Sequence, residues 1–587
     1  MSTIDISIIG IYLLIVFALG LAFTRRAHLN TDSYFLSGRN LPWWIAGTSM
    51  VATSFSCDTP LYVTKLIRSG GVSLNWQWWS FAIGGLFGAF FLARLWRRAK
   101  VVTDVELTDL RYGGKAGRVL RVVRAAWLSL FINTIAMSWV VLAMAKITGV
   151  VWGGPKWIGV LAASLLAVVY SFFAGFWGVV ITDVAQFIIA LIGAVILAIF
   201  AVNAAGGIEH ILEIAGPEKI AMIPKIPESG FFSMETLTGA FGGFMIYLSI
   251  QWWANLNSDG GGKVIQRMSA AKNEMHAFGA TLWYNIAHFA LRTWPWVIVA
   301  LASLVLMPET PFGSNGISDH ELVYPLLIIQ LLPVGLKGLM VAGLVGAFMS
   351  TIDTQLNWGS SYLTHDIYRG WIAPGKSEKH YLIAAKVAMV LLLGVTSVMA
   401  YYIQSVTEAF KFIIAFGAGT GPVYILRWFW WRISAWTEIA AMAASSIISS
   451  TLYLFFPEIP FPIKVLLITV GSAVVFIPVT ILTPAPAMKT LVEFYKRTRP
   501  PGAWKNVRNY LEKLDQLTGA EDYQSPFAFD ILGWIGGIAM TLGSTFAIGY
   551  FVFGEIGTGI ILSVIALIGT YVVFIWMRKR FYKDVEK

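Results

Sequence analysis

Residues 46–60 read Ala-Gly-Thr-Ser-Met-Val-Ala-Thr-Ser-Phe-Ser-Cys-Asp-Thr-Pro and lie inside an apolar segment at residues 43–68. Small hydroxyl residues crowd this stretch before it reaches an acid, Asp58, and a proline, Pro60. Pro60 cannot donate to the helical hydrogen-bond ladder, and it pushes the residue before it out of helical geometry. The pattern predicts a helix that is broken at membrane depth, where free carbonyls can meet a cation and free amides an anion. A kinked helix that packs through its small residues is the alternative.

The remaining sequence has the composition of an all-α polytopic membrane protein. Of its 587 residues, 57% are hydrophobic and 13% are charged, and the mean hydropathy is +0.69. Soluble proteins carry about 25% charged residues, and the strands of a membrane barrel would alternate polar and apolar positions. A spanning helix takes roughly 20 residues, so the apolar runs predict about fifteen spans. They lie at residues 6–24, 43–68, 76–96, 122–148, 156–175, 177–205, 235–256, 276–306, 334–362, 381–404, 407–431, 435–456, 462–483, 528–552 and 555–577.

Loop charge predicts how the chain is oriented in the lipid bilayer. An odd number of spans puts the termini on opposite faces. One set of loops is rich in basic residues and includes Lys263 and Arg267, whereas the opposite set holds only Lys219 and Lys225. The positive-inside rule therefore predicts a multi-pass plasma-membrane protein with its N-terminus outside and its C-terminus in the cytoplasm. The net charge of +11 is spread over several short loops, so we expect no nucleic-acid partner.

Two further stretches carry polar groups inside apolar spans, where such groups are costly and are candidates for function. Asp183 lies in a Thr-Asp-Val-Ala-Gln stretch, and an acid at the membrane interface is the alternative there. Residues 347–357 contain Asp353 together with four residues spaced i, i+3, i+4 and i+7, namely Ala347, Ser350, Thr351 and Thr354. Hydroxyls and a carboxylate on one helical face suit a hard cation. Serine and threonine that join membrane helices are the alternative.

Four motifs in order resemble the sodium:solute symporter family. They lie at residues 33–39, 177–186, 264–272 and 346–357, the last followed by Thr-His-Asp-Ile-Tyr at 364–368, and the resemblance covers residues 6–460. The family implies two inverted repeats of five helices, each with a broken first helix. In the second repeat, three glycines at 260–262 follow the apolar run and disfavour a continuous helix.

The resemblance also divides the chain into regions. The two inverted repeats would occupy 43–205 and 235–431, joined by an extracellular loop at 206–234. The regions outside them are an extra N-terminal span with its loop at 1–42, peripheral spans at 432–483, a cytoplasmic loop at 484–527 and two C-terminal spans with a tail at 528–587.

The family's sodium site implies specific ligands in this chain, and Na⁺ is the ion that it implies. The ligands would be backbone carbonyls and hydroxyls of Ala52, Phe55, Ala347, Ser350 and Thr351. Some members hold a second sodium, which would fall on Asp183, Asp353 and Thr354. Asp353 stands where a hydroxyl is expected, so either a second sodium or a proton on one carboxylate fits these positions.

The solute is predicted mainly from Asp58. The positions that resemble sugar contacts of the family carry Thr59, Asn257 and Ala254, which do not match, so a sugar is disfavoured. No lysine or arginine lies between residues 46 and 63, so Asp58 predicts a solute with an ammonium group or hydroxyl donors. Pairing of Asp58 with Lys65 is the alternative. Further candidates for contact with the solute are Thr59, Asn133, Gln251, Trp252, Asn255 and Asn257.

These features predict sodium-coupled secondary active symport of a small polar organic solute into the cell by alternating access. The alternative is a transporter-derived membrane sensor, although the loop at 484–527 holds no signalling domain that we identify. The sequence contains no Walker-type glycine loop, so we expect no ATP-driven pump and no enzyme.

Overall fold

The computed structural model describes residues 1–27, 39–54, 56–101, 103–254, 259, 262–311, 318–514 and 527–585, without the side chains of 20–27, 172–179 and 582–585. Three predicted site residues, Phe55, Asn255 and Asn257, and nearly all of the motif at 33–39 lie outside these ranges. A helix or half-helix lies at the position of each predicted span. Among the described residues, eleven helices are long and apolar enough to cross a membrane, beside three shorter apolar ones.

The first repeat begins with the predicted broken helix. Its helices, after the N-terminal α1 (Thr3–Ala27), are α2 (Trp43–Ser54), α3 (Asp58–Gly70), α4 (Val72–Ala99), α5 (Gly114–Trp152), α6 (Lys156–Ser171) and α7 (Val180–Ala204). The break precedes Asp58, whereas the sequence pattern located it at Asp58, Thr59 and Pro60. Pro60 is instead the third residue of α3, where its missing N–H costs nothing because first-turn amides have no partner within the helix.

The chain bends between α6 and α7, within a segment that is helical from Lys156 to Ala204. The Tyr170 hydroxyl lies 2.7 Å from the Thr182 hydroxyl. Twelve residues of straight helix would separate the two positions by about 18 Å. This hydrogen bond therefore requires a sharp bend, so residues 156–204 do not form one straight span.

The second repeat also contains a broken helix. Its helices are α9 (residues 240–254), α10 (Lys263–Ala270), α11 (Glu274–Leu306), α13 (Leu336–Ile372), α14 (Glu378–Tyr402) and α15 (Val406–Phe429), with α8 (Ile208–Ile220) before it and α12 (Val323–Leu331) between α11 and α13. Lys263 and Arg267 belong to α10, so their assignment to a basic loop was wrong. The glycines that precede α10 indicated the break, but the sequence pattern did not predict the half-helix that follows it.

The remaining helices surround this core. They are α16 (Ala435–Phe455), α17 (Phe461–Leu482), α18 (Met488–Thr498), α19 (Lys505–Lys513), α20 (Phe527–Val552) and α21 (Ile556–Val585). The helices α20 and α21 pack against each other. Buried Asp530 joins α20 to α21 through Arg580 and to α4 through Arg94, at 2.6 Å and 3.5 Å. The Thr545 hydroxyl donates to the Phe289 carbonyl of α11 over 3.1 Å.

Candidate functional site

The two breaks border one cavity. The cavity volume that the centres of water molecules can occupy is about 190 Å³. One water needs roughly 10–15 Å³ of such volume, so a small organic solute fits in the cavity. The first break contributes Asp58 and Thr59, and the second contributes Lys263. Aromatic rings supply much of the remaining wall, including Tyr62, Trp78, Phe81, Trp139, Tyr284, Phe289, Trp358 and Phe410.

The C-terminal end of α2 binds two cationic side chains of the same protein. The last carbonyls of a helix lack partners within it and form its negative end. The Lys263 ammonium donates to the Thr53 carbonyl over 2.7 Å. The Arg292 guanidinium donates to the Val51 and Ser54 carbonyls over 3.1 Å and 3.2 Å. Two basic side chains of the second repeat therefore stabilise this end of a helix in the first repeat.

The predicted sodium ligands come from α2 and α13, which lie against each other. The Thr351 hydroxyl donates to the Thr53 carbonyl, and the Ser56 hydroxyl donates to the Ala347 carbonyl, each over 3.5 Å. Both distances exceed those of a well-formed hydrogen bond, and the Thr53 carbonyl also accepts the shorter bond from Lys263. Carbonyl and hydroxyl oxygens are the ligands that a hard cation prefers. The donor set thus fits Na⁺ chemically.

Ser350, Ala347 and Ala52 are all buried at this contact. The Ser350 hydroxyl donates its proton to Asp183 over 2.5 Å. A hydroxyl that donates in this way keeps its lone pairs, so Ser350 can still serve as an oxygen ligand.

The residues of the predicted second sodium site surround the guanidinium of Arg267. Fully buried Asp183 lies 3.6 Å from this guanidinium and accepts hydrogen bonds from Ser49 and Ser350 over 2.5 Å each. Arg267 also donates to the Thr354 hydroxyl over 3.0 Å. Asp183 is therefore a buried, paired acid and not one exposed at the surface of the protein.

Asp353 precedes Thr354 on α13 and is also buried. Its Oδ2 atom accepts no hydrogen bond from the described residues. Arg267 therefore bonds to two of the three predicted residues, and Asp353 remains available to a proton or an ion.

Asp58 lies at the first turn of α3 and lines the cavity. Its Oδ2 atom accepts a hydrogen bond from the Trp139 indole over 3.0 Å. Its Oδ1 atom is buried and accepts none from the described residues. Lys65 does not pair with Asp58, because its ammonium lies 3.4 Å from Glu321 and 2.8 Å from the Ser405 hydroxyl.

The other predicted solute contacts that the structure describes lie outside this cavity lining. Buried Asn133 donates to the Gln355 carbonyl over 2.8 Å, and Gln251 donates to the Gln77 carbonyl. Trp252 packs against Trp253 and Trp534.

The lining residues that sequence reasoning missed include Lys263, Gln355 and Trp139. Lys263 had a local signal, since it directly follows the three glycines of the second break. Gln355 and Trp139 had no sequence signal that distinguishes them from residues that only pack.

Charged clusters lie on the two sides of the cavity. In the first, which we call the Glu321 cluster, Glu321 bonds to Lys146 over 2.6 Å, to Lys65 over 3.4 Å and to the backbone amides of Val406 and Thr407 over 3.1 Å each. Burial acts to raise the pKa of Glu321, but Lys146 and Lys65 lower it to about 2. The cluster therefore holds a stable anion between α3, α5 and the start of α15.

In the second, which we call the Glu438 cluster, buried Glu438 lies 3.1 Å from Arg124 and 3.2 Å from Arg427. Arg427 also pairs with Asp259, which lies in the break between α9 and α10. Arg124 lies 3.3 Å from Asp104. These bonds join α5, α15 and α16 to the second break.

Two sets of helices with paired breaks around a central polar cavity define a secondary transporter with the LeuT-type fold. The chain belongs to the sodium:solute symporter family, whose model matches residues 34–447. It is therefore a membrane protein of sodium-coupled symport, with Na⁺ as the coupling ion.

Known relatives agree with this family. The sodium/glucose cotransporter of Vibrio parahaemolyticus is 27% identical over 494 residues, which cover 79% of this chain and 87% of the relative. Sodium/glucose cotransporter 4 of Danio rerio is 26% identical over 467 residues, which cover 73% of this chain and 68% of the relative. The solved structure of a Na⁺-coupled sialic acid symporter, in a substrate-bound outward-open state, matches with a TM-score of 0.66 at 20% identity and covers 83% of this chain and 99% of its own. The structural match shows the shared fold.

Proposed function

We propose that the protein carries a small polar organic solute into the cell by alternating access, and that one sodium ion binds between α2 and α13 to drive it. The observation that carries this proposal is the contact of the Thr351 hydroxyl with Thr53 at the end of α2 and of the Ala347 carbonyl with Ser56 in the first break, beside the cavity. An ion at that contact joins the two repeats next to the solute. Binding of the solute and of the ion are therefore coupled through the same broken helix.

Coupling through one ion is supported by Arg267. A buried carboxylate at membrane depth needs a cationic partner, and Arg267 already supplies one for Asp183. A second sodium at Asp183 is not required for charge balance. Asp353, whose Oδ2 atom accepts no hydrogen bond from the described residues, then carries a proton instead of binding a second sodium.

Alternating access is supported by the Glu321 and Glu438 clusters. Each cluster joins helices of both repeats on one side of the cavity, and each consists of bonds that can break and form again. The cycle opens one cluster while the other stays closed, so the solute never meets a continuous pore.

The orientation follows from the basic loops. Without Lys263 and Arg267, the loops on the side of the C-terminus still contain most of the basic loop residues. We therefore propose a plasma-membrane protein with the N-terminus outside, the Glu321 cluster facing outward and the C-terminus in the cytoplasm.

The test is uptake by proteoliposomes that contain the purified protein. A labelled solute chosen by a binding screen should accumulate under an inward sodium gradient and should not accumulate when choline replaces sodium. Thr351→Ser, which keeps the oxygen, is the matched control for Thr351→Ala. Sodium-dependent binding without uptake would contradict transport and favour the sensor alternative.

A further inference from the structure

We infer that the solute is a zwitterion with an apolar body, whose ammonium group binds Asp58 and whose carboxylate binds Lys263. This inference rests on the proposed function, because it concerns the solute of the same cavity. It separates the protein from the sugar cotransporters that it resembles.

The two charges occupy equivalent places in the two repeats. Asp58 is the first residue of α3, and Lys263 is the first residue of α10. Each therefore begins the half-helix that follows a break, and both line the cavity. An acid is favourable at the positive N-terminal end of a helix, whereas a lysine there is unfavourable. The stability of α10 does not explain why a lysine stands at this position. The Thr53 carbonyl accepts one of its hydrogen bonds, and a solute carboxylate can accept another.

The Asp58 side of the cavity contains two side-chain oxygens that accept no hydrogen bond from the described residues. Trp139 donates to Asp58 Oδ2, but Asp58 Oδ1 and the side-chain oxygen of Gln355 accept none from the described residues. Both residues line the cavity. Buried acceptors without donors are costly, and an ammonium group supplies up to three donors. A solute ammonium can therefore donate to Asp58 Oδ1 and balance the charge of Asp58, and Gln355 offers a second acceptor in the same cavity.

The Lys263 side presents a cation. Its ammonium has three donors, and one of them goes to the Thr53 carbonyl. Asp58 and Lys263 form no ion pair with each other in the described structure, since Asp58 binds Trp139 and Lys263 binds Thr53. Both charged groups line the cavity without a direct contact between them. A solute with one charge would pair with only one of them, and an uncharged sugar could donate hydrogen bonds to Asp58 but would neutralise neither charge.

The wall of the cavity selects an apolar body. Phe410 lies 4.9 Å from Tyr62 and 5.6 Å from Trp139, measured between ring centroids, so that the three rings form a continuous apolar surface. A polyol would bring hydroxyl groups against these rings without partners. An amino acid with an apolar side chain, or an N-methylated derivative of one, fits both the charges and the wall.

The test is thermal stabilisation of the purified full-length protein in detergent with saturating sodium. The panel contains the twenty protein amino acids, glycine betaine, glucose and myo-inositol. For the zwitterion that stabilises most, we add its decarboxylated amine and its deaminated acid. We expect the amine and the acid to bind at least tenfold more weakly than the zwitterion, and the sugars to cause no shift. A panel with no zwitterion that binds, or one in which a sugar binds more tightly, overturns the inference.

Two variants test which residue binds the ammonium end of the solute and which binds the carboxylate end. Lys263→Met should weaken the zwitterion at least tenfold and leave the affinity for the amine unchanged, whereas Asp58→Asn should weaken the zwitterion similarly and leave the acid unchanged. Lys263→Arg should recover part of the zwitterion affinity. Equal losses for all ligands in both variants would show that the residues act only through structure.

Sodium titration without solute separates this inference from the proposed function. A sodium-dependent shift in melting temperature should persist in Asp58→Asn, which confirms that the variant folds. If sodium stabilises the protein and drives uptake of a sugar, the zwitterion inference fails while the proposed function stands. If sodium has no effect on melting temperature or uptake, the proposed function itself fails.

Discussion

The two broken helices follow the same plan but depend on different contacts. After the first break, α3 starts with an acid that its own helix dipole favours. After the second break, α10 starts with Lys263 and contains Arg267, and both donate hydrogen bonds to residues of α2. The half-helix after the first break therefore begins with a residue that its own helix favours, whereas the half-helix after the second begins with a residue that bonds to the opposite repeat. Changes at buried Arg267 of α10 should disturb both repeats strongly, whereas changes at the partly exposed Lys65 of α3, which bonds to Glu321 of the second repeat, should cost less.

The largest expected effect is that of Arg267→Leu. It leaves Asp183 buried and unpaired, and breaking a buried ion pair costs about 3–5 kcal/mol. We expect a large loss of thermal stability in detergent, measured by tryptophan fluorescence. The double variant Arg267→Leu with Asp183→Asn should recover part of the stability, since no unpaired charge remains. Wild-type stability of Arg267→Leu would mean that α10 does not depend on the first repeat.

Thr351→Ala addresses the ion that we propose between α2 and α13. Removal of one oxygen ligand should weaken the apparent sodium affinity tenfold or more, which corresponds to about 1.4 kcal/mol. Thr351→Ser should retain the affinity. Sodium titrations of uptake and of thermal stability measure both variants. An unchanged sodium dependence in Thr351→Ala would contradict the assignment of the ligand.

A smaller effect is expected from Lys65→Met on α3. Lys65 is a quarter exposed and shares Glu321 with the better-placed Lys146, and such partly exposed pairs contribute about 1 kcal/mol or less. We expect a change in melting temperature of a few degrees at most. Lys146→Met is the matched comparison and should cost more. A collapse of Lys65→Met would show that α3 depends on distant contacts as strongly as α10 does.

The smallest expected change is in the shape of the sodium dependence. With Arg267 as the partner of Asp183, wild-type uptake should rise with sodium with a Hill slope close to one. A slope well above one in the wild type, reduced in Asp183→Asn, would instead place a second sodium ion at Asp183. The proposed site between α2 and α13 would then be one of two sites for coupling ions.

The sequence allowed accurate prediction of those features that local chemistry determines. Apolar runs gave the positions of the helices, and Pro60 and the glycines at 260–262 indicated both breaks. The exact start of α3 was missed by one turn, because a proline is tolerated at the third position of a helix as well as in a break. The family and its fold followed from motifs that are themselves continuous in the chain.

The charged interior could not be predicted in the same way. Arg267 meets Asp183 and Thr354 only through the packing of three distant segments. A lysine or arginine that follows a glycine run resembles a loop residue, so the positive-inside argument counted Lys263 and Arg267 outside the membrane. The Trp139 partner of Asp58 is likewise set by tertiary contact. Pairing of charges across helices was the information that a single sequence did not contain.

The attachment of α20 has a consequence for the surrounding lipid. The Trp294 indole of α11 donates to the Thr545 carbonyl, and the Thr545 hydroxyl donates to Phe289, a residue of the cavity wall. A tilt of α11 that kept these bonds would move α20 and α21 sideways through the bilayer. The work of such a motion would include the rearrangement of acyl chains around these two helices, and it would grow when membrane thickness does not match their length. We therefore expect the turnover of this transporter to depend on the thickness of the membrane in which it resides.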